Sequence, residues 1–479
     1  MRACFAILAA STSHAEDDMS TDPLNTDVTP HLVDRAPLFE QEGPRGVAVR
    51  SLLRIESTSI PAARVVHGEL ATHRHWDEFE RALYQELVYG TLRWRAKLDW
   101  VLTGFYHGDF PKCMPAVQNA LRVALYQILM ISKVPPMAAI ESAVRTIERL
   151  KSTEHATKLG SVLRTIARNV AGIRYPPREQ LALHLSIVHS HPLWLVERWI
   201  ERYGVELTEQ MLAAALERAP LYLAANSLRV SDEHLRLWLQ EHGIPFEVSP
   251  LHQHLLRVNP FADYEALPIW QEGWFYTTDP MSATAAAILD KLSPRSLVFV
   301  CRETSSAVLP FAELAETRNA ELRIWTASPT GSLFARDHER LGWHAPSVIT
   351  ELGDRTYEAV CVEAPSSGIG LWRRMPERKW RSDSLDIPRA IGRSRAMLDQ
   401  ASAAVAPGGT LLVMVASTEP EETTSLVEWL VATHPDLKQV PISPDSVHPS
   451  LLQDDGTLQS LPHIHRCDSV FVALFEKTR

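Results

Sequence analysis

The chain lacks paired cysteines, a long apolar run and an excess of positive charge. Its five cysteines, Cys4, Cys113, Cys301, Cys361 and Cys467, stand far apart, and no two have Cys-x-x-Cys spacing. That pattern argues against the common zinc frameworks and a vicinal redox pair, and it suits a reducing, cytoplasmic setting. No stretch reaches 18 consecutive apolar residues, so no membrane span is expected. A formal net charge of −10 excludes whole-surface attraction to nucleic acid. Local basic patches remain compatible with it, because exposed charges are screened beyond about 10 Å. His463, His465 and Cys467 alternate, so on an extended segment they share a face. Two-residue steps match no usual zinc spacing, and no metal is expected.

What is present is enough apolar sequence, 45% of 479 residues, for several packed domains. Residues 1–18 hold a short apolar run that is weak as a signal peptide, which makes Met19 an alternative start. Residues 1–44 read as a disordered extension. From 45 to 176 the pattern is helical. Leu121, Ala124, Leu125, Ile128 and Leu129 recur at helical spacing, as do Ile140, Ala143, Val144 and Ile147, with Pro135-Pro136 between them. Residues 177–265 read as a small α+β module, with a strand near Leu221–Val230 and a helix over 231–242 stopped by Gly243. From 266 to 479 short apolar strands alternate with helices. The strands are expected at 297–300, 322–326, 359–363, 410–415 and 470–475, and the helices near 282–292, 305–317, 388–405 and 421–433. Such alternation predicts a doubly wound, parallel, Rossmann-like sheet with its site beyond the C-terminal strand ends.

Charge is uneven along the chain. Residues 145–178 carry eight Lys or Arg, Arg164 and Arg168 among them, against Glu148 and Glu154. Residues 373–395 carry eight basic side chains, including Arg373, Arg374, Arg378, Lys379 and Arg381, against three acids, with Trp372 and Trp380 interleaved. Basic residues mixed with aromatics suit phosphate contact and base stacking. A solvated helix face, or core tryptophans with ion-paired arginines, is the alternative for each stretch.

Several motifs then fall into one order. The first group is Glu86-Leu-Val-Tyr-Gly-Thr-Leu-Arg-Trp94, Leu125-Tyr-Gln127, Val134-Pro-Pro136 and Val162-Leu-Arg-Thr-Ile-Ala-Arg168. Gly273-Trp-Phe275 and Asp279 follow. The last group is Pro365-Ser-Ser-Gly368 through Arg381, Gln400, Pro407-Gly-Gly409 and Glu419-Pro-Glu-Glu422. The whole resembles the Sun/RsmB (NOL/NOP/Sun) family of ribosomal RNA cytosine-5 methyltransferases. The resemblance implies a NusB-like helical RNA-binding domain, a small linker module and a class I methyltransferase-like domain.

It also implies a chemistry whose residues are missing. The family's attacking cysteine aligns with Ala416 and its product-release cysteine with Ser366, while the nearby aspartate is Glu363. An alcohol cannot replace the thiolate, because its anion is negligible at neutral pH. The S-adenosylmethionine loop aligns with Phe299, Cys301, Thr304, Ser305, Ser306 and Ala307, where an acid, two glycines and a lysine are lost. No acid stands near Thr326 to hold the cofactor's ribose. In the middle module the family's Arg-Val-Asn reads Ala224-Ala225-Asn226.

The resulting expectation is an RNA-binding protein acting on ribosomal RNA or a ribosomal precursor, with no working cofactor site. One alternative is an active S-adenosylmethionine-dependent enzyme with a relocated thiol such as Cys361. The other is a scaffold that binds a protein through its helical domain. Arg164, Arg168, Arg373, Arg374, Arg378, Lys379, Trp380 and Arg381 are the expected RNA contacts.

Overall fold

The computed structural model describes residues 43–106, 109–258, 264–327 and 333–478. The expected N-terminal extension lies outside the described residues. The chain forms two compact units. The first comprises residues 43–216 together with the short segment Met375–Asp383. The second comprises Glu217–Arg374 and Ser384–Arg479.

The first unit is helical. Pro44–Ser57, Pro115–Met130 and Pro136–Leu150 each open on proline, which is preset for the first helical turn and has no N–H to leave unpaired. Glu78–Arg93 starts from a capping box between Asp77 and Glu80. Thr153–Arg168 starts from the Ser152 hydroxyl. The periodic residues face inward as expected: Leu121, Ala124, Leu125, Ile140, Ala143 and Ile147 are all buried in one core. Helices also cover Leu181–Val188 and Leu193–Leu216, the latter interrupted at Gly204, where φ is +75°. By compactness these two group with the helical unit.

The second unit carries two sheets. The smaller is antiparallel, ordered β2-β3-β1-β4, from β1 (Leu221–Ala225), β2 (Phe246–Val248), β3 (Leu255–Val258) and β4 (Phe275–Thr278). Because β4 pairs with β1, this sheet runs past the boundary drawn at 265. The helix Asp232–Glu241 is followed by Gly243 at φ +66°, so the expected stop holds.

The larger sheet contains β5 (Ser296–Cys301), β6 (Glu321–Thr326), β7 (Ser347–Ile349), β8 (Tyr357–Ala364), β9 (Val405–Val415), β10 (Leu437–Gln439), β11 (Leu458–Gln459) and β12 (Phe471–Lys477). Its order is β10-β12-β9-β8-β5-β6-β7, with β11 on β12. Strands β5 to β9 are parallel, but β12 is antiparallel to both β9 and β10. The sheet is therefore mixed and not wholly parallel. Between β10 and β12 no helix is longer than the single turn Pro462–His465, and a parallel pair needs a longer crossover. Alternate residues of β5 feed opposite faces: Leu297, Phe299 and Cys301 enter one core, Val298 and Val300 the other.

Candidate functional site

The C-terminal ends of the parallel strands bring together the motifs singled out in the sequence. After β8 the chain turns through Pro365, Ser366, Ser367 and Gly368, and after β9 through Ala416, Ser417 and Thr418. Ser366 Oγ donates to the Ala416 carbonyl at 3.1 Å. The positions expected for release and attack thiols are thus neighbours, and one is a hydroxyl bonded to the backbone of the other.

Glu422 fastens these two turns. It accepts from Ser367 N at 2.5 Å, Ser367 Oγ at 2.7 Å and Ser417 Oγ at 2.5 Å. The carboxylate is buried, and burial raises its pKa against the lowering effect of those donors. Gly370 completes the clasp, since its N–H reaches Ala416 O at 3.3 Å and its carbonyl accepts from Ser469 N at 3.0 Å. A Cβ at Gly370 would lie 2.1 Å from Ser469 O. The sequence flagged Glu419-Pro-Glu-Glu422 only as a motif, and Glu422's partners are visible only once both turns are folded.

The loop after β5 is closed on itself. Phe299 is buried against Phe311, ring centroids 5.0 Å apart. Ser305 caps the 3-10 turn Ser306–Val308 through Ala307 N at 3.2 Å, and its hydroxyl reaches Glu363 Oε2 at 3.3 Å. Thr304 is half-buried and Ser306 exposed. At the end of β6, Thr326 donates to Arg302 O at 2.9 Å. Ser305 and Ser306 stand where the resemblance implies glycines, and Ala307 where it implies a lysine.

No described cysteine has an activated thiol. Cys301 is buried, Sγ 3.7 Å from Trp325 O, and burial with the nearby Glu363 charge pushes its pKa up to about 12. Cys361 is buried against Met414, Sγ to Sδ 3.9 Å, and burial lifts its pKa well above the ordinary value. Burial does the same to Cys467. His463 and His465 sit on the one-turn helix Pro462–His465, not on the extended segment expected. His465 Nδ1 accepts from Leu461 N at 2.8 Å.

The segment expected to touch RNA is placed differently. Lys379 is 1% exposed, and its ammonium donates to Arg93 O at 2.9 Å and Ser190 O at 2.8 Å. Burial and the Arg93 charge lower its pKa well below the ordinary range. Trp380 Nε1 donates to Leu92 O at 2.6 Å, and Arg381 Nη2 donates to Ile55 O. These are contacts of the helical unit to which Met375–Asp383 belongs. Arg373 is buried on Glu217 at 2.7 Å, and Arg374 Nε meets the buried Asp468 at 2.7 Å. Trp372 is core. Arg378 and Arg164 are half-buried, and Arg168 is exposed at its helix end.

Two buried polar residues, Asn226 and Asp279, hold backbone groups in place. Asn226 donates to Gly273 O and Leu341 O, both at 2.9 Å, and accepts from Trp343 Nε1 at 3.1 Å. Asp279 caps the helix Pro280–Leu292 through Met281 N at 2.8 Å, and burial together with the Asp468 charge pushes its pKa up to about 7.

Three family models match in sequence order. The NusB family covers residues 43–168, the Methyltr_RsmF/B-like ferredoxin-like domain 191–265, and the 16S rRNA methyltransferase RsmB/F 342–476. The probable ribosomal RNA small subunit methyltransferase B of Bacillus subtilis (strain 168) is 26% identical over 446 residues, 90% of this chain and 98% of that protein. The chain belongs to the Sun/RsmB family. The ribosomal RNA small subunit methyltransferase B of Cronobacter sakazakii is 25% identical over 74% of this chain and 83% of its own. Among solved structures, PH0851 matches the fold with a TM-score of 0.76 at 20% identity, covering 91% of this chain and 99% of that one. Within this Sun/RsmB chain none of the three matched stretches spans 266–341, which contains the closed loop after β5.

Proposed function

We propose that this Sun/RsmB protein binds ribosomal RNA or a ribosomal precursor without transferring a methyl group. The Ser366–Ala416 contact carries the reading, because it puts an alcohol and a methyl group where the resemblance requires two thiols. An alcohol without a strong neighbouring base is a poor nucleophile at neutral pH, and Glu422, the carboxylate that ties the two turns, is occupied by three donors. The Ser305–Glu363 bond and the buried Phe299 add support at the cofactor loop. RNA contact is assigned to Arg168 and its basic neighbours on the Thr153–Arg168 helix, with Lys379 excluded by its burial.

Calorimetric titration with S-adenosylmethionine tests the cofactor half: micromolar binding overturns it. Bisulfite mapping of ribosomal RNA from cells with and without the gene tests the rest. An unchanged 5-methylcytosine pattern is expected, and a lost position returns the protein to the enzymes. RNA binding itself is read by salt titration, with affinity falling as salt rises.

A further inference from the structure

We propose that a cleft beside Trp380 in the helical unit takes one RNA base bearing an exocyclic amino group. This rests on the RNA-binding reading above and adds a site to it. The cleft measures about 300 Å³, the scale of a single small ligand and not of a folded partner. Leu53, Ile55, Leu92 and Pro115 give it apolar walls, and the half-buried indole of Trp380 gives it a flat one. A planar heteroaromatic ring is the ligand such a wall favours, since every base presents a π-face for stacking.

The polar groups narrow the choice. Glu377 is 3% exposed, and its Oε1 accepts from Ala62 N at 3.0 Å. Its Oε2 is buried and has no hydrogen-bond partner among the described residues. A buried carboxylate oxygen left without a donor is costly, and a base amino group supplies two N–H donors. Gln118 also lines the cleft, but its amide nitrogen already faces the carbonyls of Phe110, Pro111 and Cys113. Base selection therefore falls to Glu377. Arg95 lies over the Trp380 ring at 5.9 Å and is held by Glu56 at 3.4 Å, so it shapes the wall. Arg381, exposed at the rim, is the cation for the adjoining phosphate.

The test uses the full chain at low salt and two pentaribonucleotides, UUAUU and its counterpart with purine riboside for adenosine. They differ only where an amino group becomes a hydrogen. Fluorescence anisotropy is expected to give about tenfold or more tighter binding of the adenosine form, one charge-assisted hydrogen bond's worth. Glu377→Gln keeps the acceptor for Ala62 and offers an amide donor in place of Oε2, so the preference should vanish or invert. Ultraviolet crosslinking with peptide mapping should place the adduct on the segment containing Trp380, a readout that survives if the variant folds poorly. Equal affinity of the two oligomers, an unchanged preference in the variant, or adducts only elsewhere overturns the cleft while leaving RNA binding standing. No binding of either oligomer overturns both.

Discussion

Ser366 Oγ donates to the carbonyl of Ala416 at 3.1 Å, so two positions 50 residues apart in sequence form one contact at the end of the parallel sheet. Installing both thiols, Ser366→Cys with Ala416→Cys, restores the side chains that the resemblance implies and leaves the loop after β5 untouched. The double variant is expected to show no methyl incorporation into ribosomal RNA above background. Incorporation from tritiated S-adenosylmethionine would prove the cofactor loop competent.

The Glu422 clasp is expected to matter for folding. Glu422→Ala removes three accepted hydrogen bonds and strands buried donors on Ser367 and Ser417. A loss of about 2–4 kcal/mol is expected by urea unfolding. Gly370→Ala should also destabilise, by about 1–3 kcal/mol, because the added Cβ meets backbone oxygen and not a yielding side chain.

Lys379 and Arg168 should separate cleanly. Lys379→Met leaves the carbonyls of Arg93 and Ser190 without their donor, so a loss of about 1–3 kcal/mol in stability is expected. The salt dependence of RNA binding should not change. Arg168→Ala should do the reverse: nearly unaltered stability, with the slope of log affinity against log salt smaller by about one.

Asp279 gives a pH signature. Its folded pKa, about 7, lies above the usual carboxylate value, so the folded state holds the proton more tightly than the unfolded chain. The stability gained from that proton is complete below about pH 4 and is lost as pH rises through about 7. Asp279→Asn keeps a cap acceptor for Met281 and removes the titration. Its urea midpoint should vary less between pH 4 and 8 than that of the parent, and identical profiles would contradict the burial argument.

Part of this molecule was legible in one dimension. Helical spacing placed Leu121, Leu125, Ile140 and Ile147 in a core, because which side of a helix a residue faces follows from the chain's own period. Short apolar runs located β5, β6, β8 and β9. The run at 470–475 located β12 as well, but its antiparallel direction was not legible, since strand direction depends on the connection and not on the strand's composition. Basic and aromatic residues at 373–381 looked like a nucleic-acid surface. Charge type does not reveal burial, and Lys379 instead satisfies two carbonyls inside the helical unit.

The sequence by itself determined the order of the three family segments and the serine and alanine at 366 and 416, where the resemblance implies thiols, because identity at a position is a local property. Only the tertiary structure decided that those two residues touch, that Glu422 ties their turns together, and that Met375–Asp383 packs with the helices. These are contacts between distant segments, and the hydrogen bonds and burial that fix them exist only after the chain has closed the loops between them.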